Sequence, residues 1–198
     1  HISLDMAINA IAATGFNGEL GLRGGMPWQG KLPRDMKHFM QTTKNSVIIM
    51  GRVTADTMRL PLATRHAIII TTKRNETLER YGGHSFVVGS INDAIQLYQY
   101  LKIHGAKDAH GPLIDVNTDA FIIGGAQIYK QAMDMGIIEK MYLTTVHGTF
   151  HADATFSFDR TYYDLIESET HPPDDKNFYG CTFETYQRKS RKTPLVIT

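Results

Sequence analysis

The residue of this chain most suggestive of chemistry is Asp35, a carboxylate on the apolar face of a predicted helix. Pro33 fits the first position of that helix, where its missing N–H needs no partner. The apolar residues at helical spacing around it are Leu32, Met36, Phe39 and Met40. A buried charge needs a partner, because burying it unpaired is very costly. Two interpretations are open: a half-exposed first-turn acid favoured by the helix dipole, or a pocket carboxylate that binds a cationic or amidine-like ligand edge.

Phosphate-binding features follow three predicted strands. Gly124-Gly125 joins a buried strand to a helix start, where close backbone approach and free N–H groups suit a pyrophosphate. Similar strand ends occur at Gly51-Arg52-Val53-Thr54 and at Thr71-Thr72-Lys73-Arg74, which add guanidinium, hydroxyl and ammonium groups. Each is weak evidence alone, since a Gly-Gly pair is usually a tight turn and a lone cation is usually solvated. Together they favour a nucleotide with more than one phosphate group, bound at the carboxyl ends of the strands.

The other motifs narrow the chemistry. Arg65, which follows Pro61-Leu62-Ala63-Thr64, is either a rim cation for a substrate carboxylate or ordinary surface charge. The nine histidines lack ligand spacing, so no metal site is expected. The chain has no GxGxxG fingerprint and no nucleophile-elbow serine or cysteine.

Length and composition suit one ordinary domain. The 198 residues carry a formal net charge of +1, so neither a nucleic-acid partner nor a membrane is expected. The single Cys181 cannot form an internal disulfide, which fits a cytoplasmic location. We expect residues 1–5 to be an expression remnant or a disordered N-terminus, 6–188 to form one domain and 189–198 to be a tail. A monomer is expected, because no large exposed apolar stripe stands out.

Hydrophobic periodicity predicts an α/β domain with a mostly parallel sheet and antiparallel edge strands. The predicted strands are Met6–Ala13, Ser46–Met50, His66–Thr71, Ser85–Val88, Ala120–Ile123 and Met141–Val146, followed by a hairpin of Tyr162–Thr170 and Tyr179–Gln187. The predicted helices are Leu32–Thr43, one that begins near Gly51 and ends at Pro61, Asn92 to about Ile103 with Ser90 as cap, and Ala126 to about Met135. His104–Thr118 lacks periodicity and is interpreted as an insertion.

From Met6 to about Arg188 the chain resembles dihydrofolate reductase. The motifs that carry the resemblance, in order, are Ala12-Ala13, Gly21, Met26-Pro27-Trp28, Leu32-Pro33-x-Asp35, Phe39, Ile49-Met50-Gly51-Arg52-x-Thr54, Pro61-Leu62-x-x-Arg65, Ile122-Ile123-Gly124-Gly125-x-x-Ile128-Tyr129, Tyr142-Leu143-Thr144 and Asp153-Ala-Thr-Phe156. The resemblance implies a three-layer fold, in which helices flank an eight-stranded, mostly parallel mixed sheet with an antiparallel C-terminal hairpin. It also implies hydride transfer from NADPH to C6 of 7,8-dihydrofolate with protonation at N5, which supplies tetrahydrofolate for one-carbon metabolism and thymidylate synthesis. Antifolate inhibitors are expected to bind.

The resemblance also implies roles for residues of the folate pocket. Asp35 would be the pocket acid, pairing with N3 and the 2-amino group of the pterin, and Thr144 would support it through a water. Trp28 would lie near the water that delivers the proton, gated by the Gly15–Gly24 loop. The pocket walls would be Ile11, Ala12, Met36, Phe39, Leu62 and Ile123. Arg65 would hold the α-carboxylate of the glutamate tail.

The cofactor residues follow from the same resemblance. The nicotinamide side would be Ala13, Leu20, Gly21 and Thr54, with Tyr129 nearby. Gly124, Gly125, Gln127 and Ile128 would cradle the pyrophosphate. The 2′-phosphate would meet Arg52, Thr71 and Thr72, which implies NADPH rather than NADH, and Gly51 and Val53 belong to the same cofactor-binding turn. A cis peptide bond is expected between Gly124 and Gly125.

Several positions depart from the family pattern, and two other functions stay open. Gln29-Gly30-Lys31 lengthens the segment before the Asp35 helix, Thr64 stands where glycine is common, and Phe156 lacks a following proline. One alternative is a related pyrimidine reductase of riboflavin synthesis, against which the Asp35 helix and Arg65 argue. The other is a non-catalytic pterin or nucleotide-binding module, against which the full set of pocket residues argues.

Overall fold

The computed structural model describes residues 8–106 and 113–190, which form ten strands and five α-helices. The strands are β1 Ile8–Thr14, β2 Glu19–Gly21, β3 Ser46–Gly51, β4 Arg65–Ile70, β5 Phe86–Val88, β6 Ala120–Ile122, β7 Lys140–Val146, β8 Ala154–Thr155, β9 Tyr163–His171 and β10 Cys181–Arg188. The helices are α1 Pro33–Thr42, α2 Arg52–Thr57, α3 Arg74–Tyr81, α4 Ile91–His104 and α5 Ala126–Asp134, and a short 3₁₀ turn covers Arg160–Tyr162.

Eight strands make the main sheet, in the order β5-β4-β3-β6-β1-β7-β10-β9. The strands from β5 to β7 pair in parallel, whereas β10 is antiparallel to both β7 and β9. This arrangement confirms the predicted fold class, including the antiparallel C-terminal hairpin. β2 and β8 form a separate two-stranded sheet.

The core lies on both faces of the main sheet, because its inner strands are apolar along their whole length. Successive residues of β3 alternate between two clusters: Val47 and Ile49 pack on one face, Ile48 and Met50 on the other. All four side chains are fully buried. Helices therefore cover both faces, giving the three layers that were expected.

Three elements had no counterpart among the predictions. Helix α3 is polar along most of its length, with only Thr77 and Tyr81 buried, so it has little apolar periodicity to recognise. β2 and β8 are three and two residues long, too short for an alternation pattern. Helix α2 ends at Thr57, earlier than the predicted stop at Pro61.

The segment interpreted as an insertion is partly packed. Residues 107–112 lie outside the described residues, as do 1–7 and 191–198, so the predictions for the N-terminus and the tail fall there. Of the rest, Ile114 is buried and the Tyr98 hydroxyl donates to the Thr118 carbonyl at 2.6 Å. None of the helices within the described ranges is long and apolar enough to span a membrane.

Candidate active site

Asp35 is a buried carboxylate with one hydrogen-bond donor beside it. It lies in the first turn of α1 and is 8 % exposed, so it is not the half-exposed helix acid that spacing alone allowed. Burial raises the pKa of its carboxyl group to about 6, and a hydrogen bond from the Thr144 hydroxyl partly opposes this rise. Near neutral pH the group is close to its titration midpoint, which suits proton exchange with a ligand.

Thr144 is the hydrogen-bonding side chain that lowers the pKa of Asp35, and its support of Asp35 through a water stays a prediction. It lies on β7 opposite Ala13 of β1 on one side and Phe183 of β10 on the other, and it is 1 % exposed. Three strands therefore fix the position of its hydroxyl. The carboxyl group of Asp35 takes its orientation from this rigid part of the sheet.

Trp28 places an unpaired N–H in the same region. Its ring is 1 % exposed, and Phe150 packs edge-on against it at 5.2 Å between centroids. Its Nε1 atom has no hydrogen-bond partner among the described residues. A buried donor without a partner is costly, so this N–H is suited to a ligand or an ordered water.

Cys181 shares a buried cluster with Trp28 and stays inert. Burial, reinforced by the nearby charge of Asp35, raises the pKa of its thiol to about 11. The thiol is therefore protonated at neutral pH and a poor nucleophile.

Most of the expected apolar walls of the pocket come together. Ile11, Phe39, Leu62 and Ile123 belong to a single cluster on one face of the sheet. Met36 is 48 % exposed, which leaves an apolar side chain of α1 open to a ligand. Ala12 is buried in the cluster on the opposite face. Four of the six residues that were expected to wall the pocket therefore lie in one contiguous apolar cluster.

Arg65 is buried, which corrects its expected place at the rim. It begins β4 and is 5 % exposed. Its guanidinium donates at 3.0 Å to both Thr43 Oγ1 and Thr64 Oγ1, and also to the Ala63 and Met40 carbonyls. Desolvation lowers its pKa, although an arginine remains charged at neutral pH. It forms no ion pair in the part of the chain that the structure describes, so its charge is free for an anionic ligand group.

The strand ends around Gly124-Gly125 form one tight cradle. The Gly124–Gly125 peptide is cis, as the resemblance implied, and the Gly51 N–H donates to the Gly124 carbonyl at 2.9 Å. A Cβ atom on Gly124 would lie 3.1 Å from Thr54 Oγ1, and its φ of +134° disfavours any other residue. The Cγ1 atom of Ile128 is 3.4 Å from the corresponding position on Gly51. Helices α2 and α5 therefore begin side by side.

Other expected cofactor residues surround this cradle. Tyr129 is buried and its hydroxyl donates to the Ile11 carbonyl at 2.6 Å, which links α5 to β1. Val53 is 56 % exposed, and Gln127 is also exposed at the start of α5. Both are therefore open to a ligand.

The expected 2′-phosphate residues lie at adjacent strand ends. Gly51 pairs with Ile70 in the sheet, so Arg52 and Thr71 leave their strands at the same level. Arg52 forms an ion pair with Asp56 at 3.0 Å, which the sequence did not single out. Thr71 is buried and its hydroxyl accepts the Lys73 N–H at 3.0 Å, whereas Thr72 is exposed.

The loop that carries Leu20 and Gly21 is tied to the segment before β8. The Asp153 N–H donates to the Gly21 carbonyl at 2.9 Å, and its carboxylate accepts the Arg23 N–H at 2.8 Å. The Phe16 N–H donates to the Gly148 carbonyl at 2.9 Å. The glycine-rich loop is therefore held next to the strand ends.

Sequence reasoning missed a second support of α1. Arg34 contacts Asp174 and Asn177 of the turn between β9 and β10, about 140 residues later in the chain. The Pro-rich, polar composition of residues 171–177 indicated only a turn. No group of three or more His, Cys, Asp or Glu in the described ranges could hold a metal ion.

Known proteins with this arrangement are dihydrofolate reductases. A family model described as dihydrofolate reductase matches residues 7–188. Dihydrofolate reductase type 3 of Salmonella typhimurium is 29 % identical over 185 residues, covering 93 % of this chain and 99 % of that protein. The enzyme of Lactococcus lactis is 33 % identical over 174 residues, covering 86 % and 91 %.

A solved structure gives the same fold. Dihydrofolate reductase from Enterococcus faecalis, complexed with NADP(H) and RAB-propyl, superposes with a TM-score of 0.75 at 24 % identity. The match covers 96 % of this chain and 100 % of that one.

The fold and these relatives together define an α/β oxidoreductase. The chain belongs to the dihydrofolate reductase family. The predicted enzyme class is therefore confirmed, and NADPH is the cofactor of this family, as the motifs implied. Membership also decides against the riboflavin-pathway alternative.

Proposed function

We propose that this protein reduces 7,8-dihydrofolate to 5,6,7,8-tetrahydrofolate with NADPH, adding hydride at C6 and a proton at N5. The product would serve one-carbon metabolism and thymidylate synthesis. The observation that carries the proposal is Asp35, a buried carboxyl group with a pKa raised to about 6, held by Thr144 beside an apolar wall. Few ligands suit such a wall and a carboxylate together as well as a flat ring with an amidine-like edge.

Asp35 would orient the pterin through its N3 and 2-amino edge. An ionised carboxylate accepts two parallel hydrogen bonds from such an edge, and a protonated one can donate. Met36, exposed one residue later, and Phe39, one turn later, would pack against the ring. The pocket would act mainly by holding the two reacting rings face to face, an orientation effect.

Trp28 would position the water that brings the proton to N5. The support is its buried Nε1–H, which has no partner among the described residues and needs an acceptor. The loop tied by Asp153 would close over this region and exclude bulk water.

Arg65 would bind the α-carboxylate of the glutamate tail. Its guanidinium is held by four oxygen atoms of the protein and lacks an anionic partner in the described ranges, so it is pre-oriented. One of its five N–H groups remains to donate to a carboxylate oxygen, and the positive charge favours such a partner.

The strand-end residues fit a dinucleotide. Gly124, Gly125 and the start of α5 would take the pyrophosphate, since the glycines leave backbone exposed next to the free N–H groups of a helix start. Thr54 would sit beside the nicotinamide, and Arg52 with Thr71 would meet the 2′-phosphate. NADPH, when bound, supplies the hydride.

The proposal is tested by mixing the protein with dihydrofolate and either NADPH or NADH, and following the loss of reduced-nicotinamide absorbance. Rapid loss with NADPH and much slower loss with NADH are expected, because Arg52 favours the extra phosphate. The Asp35→Asn variant should bind NADPH almost as tightly as the unaltered protein but turn over far more slowly at neutral pH, since its amide cannot exchange a proton.

Different results of these two measurements would remove different parts of the proposal. Equal rates with both cofactors would remove the phosphate role of Arg52 while leaving the reaction. Unchanged turnover in Asp35→Asn would remove the assigned role of the acid. Binding of both ligands without any reduction would favour the non-catalytic binding module.

A further inference from the structure

Helix α1 begins without a cap of its own. Leu32 occupies the N-cap position and its apolar side chain accepts no hydrogen bond, although the first-turn N–H groups of a helix need acceptors. Pro33 has no N–H, so the first exposed donor belongs to Arg34. That N–H donates at 2.9 Å to Oδ1 of Asn177, in the turn between β9 and β10. A distant side chain therefore does what an N-cap residue usually does.

Asn177 is itself held firmly in place. It is 7 % exposed, and both its backbone N–H and its Nδ2 group donate to Oδ1 of Asp174, at 2.8 and 3.0 Å. The Asp174 N–H donates back to the Asn177 carbonyl at 2.9 Å. Because its donors are used within the turn, the side-chain oxygen of Asn177 is left to point at α1.

Two further contacts join this turn to the start of α1. The Arg34 guanidinium donates to Asp174 Oδ2 at 2.7 Å and to the Pro172 carbonyl at 3.0 Å. The Phe178 N–H donates to the Lys31 carbonyl at 2.8 Å. The chain on both sides of Pro33 is therefore fixed to residues 172–178.

We propose that Asn177 is a positioning residue for Asp35, because its cap on Arg34 sets how the first turn of α1 presents the neighbouring carboxyl group to the pocket. This inference rests on the proposed function of Asp35. A carboxyl group displaced by about 1 Å loses much of its effect on a reaction, up to roughly 10²-fold. The loop that joins β9 to β10 thereby becomes part of the catalytic apparatus without touching a ligand.

The test compares Asn177→Ala with Asp175→Ala, a control in the same turn whose side chain forms no hydrogen bond within the described ranges. Asn177→Ala should lower kcat about tenfold while the KM for NADPH changes by less than about twofold. Asp175→Ala should match the unaltered protein in both. Asn177→Ser keeps an oxygen acceptor for the Arg34 N–H, places no carboxylate against Asp174, and should recover most of kcat.

A direct titration of Asp35, followed by carboxyl ¹³C NMR in the ligand-free protein, provides a readout that needs no turnover. The groups that share its surroundings are Thr144 of β7, Tyr129 of α5, Cys181 of β10 and the adjacent Arg34. Without the cap the first turn admits water, so the pKa of Asp35 should fall by about one unit toward its ordinary value.

An Asn177→Ala protein that melts earlier but keeps the original kcat and the original pKa of Asp35 would overturn the proposal, since the cap would then be structural only. So would an Asn177→Ser protein as slow as Asn177→Ala. Asn177→Leu, which is similar in size to asparagine but has no acceptor, carries the same measurements where the alanine variant does not fold. Failure of the unaltered protein to reduce dihydrofolate would remove the proposed function, yet the titration would still decide the role of Asn177.

Discussion

At the scale of single residues, the site contains two buried charges of opposite sign, Asp35 and Arg65. Neither forms an ion pair within the residues that the structure describes. A protein that keeps such charges uncompensated sacrifices stability. The proposed substrate carries the complementary groups, an amidine-like edge at one end and a carboxylate at the other. Under the proposed function, the two charges would determine the orientation in which this ligand binds.

The pKa of Asp35 predicts how stability depends on pH. Its value of about 6 in the folded protein exceeds the ordinary 3.8, so the folded state binds more protons between these values and stability falls as pH rises. At a pH above both pKa values, the free energy of unfolding is lower by roughly 3 kcal/mol. Asp35→Asn cannot ionise, so its melting temperature should exceed that of the unaltered protein increasingly from pH 4 to about pH 7. A difference in melting temperature between the two proteins that stays constant across this pH range would contradict the titration of a buried Asp35.

The strained backbone of Thr64 predicts that its replacement by glycine stabilises the protein but weakens substrate binding. Its φ of +64° is unfavourable for a β-branched residue, by about 1–2 kcal/mol. Thr64→Gly should raise the free energy of unfolding by about 0.5–1 kcal/mol, because glycine adopts this conformation freely. It also removes a 3.0 Å contact to Arg65, so the KM for dihydrofolate should rise several-fold.

Arg59→Gly is the matched control for this prediction. Arg59 has a φ of +52°, and its replacement relieves similar strain without removing a contact to Arg65. Chemical denaturation and steady-state kinetics measure the two effects. A KM that rises equally in both variants would show that Thr64 does not act through Arg65.

At the scale of elements, the strands were more predictable than the pieces that shape the site. Central strands such as β3 and β4 are β-branched apolar runs, which the sequence marks clearly. The Asp35 helix was predictable from Pro33 and its apolar spacing. The cap on that helix was not, because Asn177 is 143 positions from Arg34 and nothing local signals such a contact. Likewise, the burial of Arg65 depends on oxygens from two separate segments, the end of α1 and the turn before β4.

The tie between β2 and the segment before β8 predicts a loop-opening variant. Asp153→Ala removes the acceptor of the Arg23 N–H, so residues 15–25 should lose part of their attachment. We expect turnover to fall several-fold with NADPH bound less tightly, since Leu20 and Gly21 lie in this loop. Asp159→Ala is the control, because its side chain caps only the 3₁₀ turn before β9. Equal effects of both variants on turnover would argue against a special role for this tie.

At the scale of the whole molecule, the site draws on nearly the entire length of the chain. Asp35 comes from α1, the cradle around Gly124 from the starts of α2 and α5, and Thr144 from β7. The sequence singled out Asp35 and the glycines because they sit at a helix start or a strand end, whereas Thr144, inside β7, followed only from the family resemblance. Contacts between distant segments, such as Asp56 with Tyr81 at 2.5 Å, depend on packing that no local pattern records.

The cap on α1 has a consequence for how the protein is made. Asn177 follows Arg34 by 143 positions, so the ribosome makes the helix that carries Asp35 well before it makes the turn that caps this helix. Until the hairpin of β9 and β10 emerges and β10 pairs with β7, the first turn of the helix lacks the acceptor that Asn177 provides. A nascent chain therefore carries the carboxyl group of Asp35 for some time before it carries the cap, and under our proposal the site would be completed only after β10 has been made.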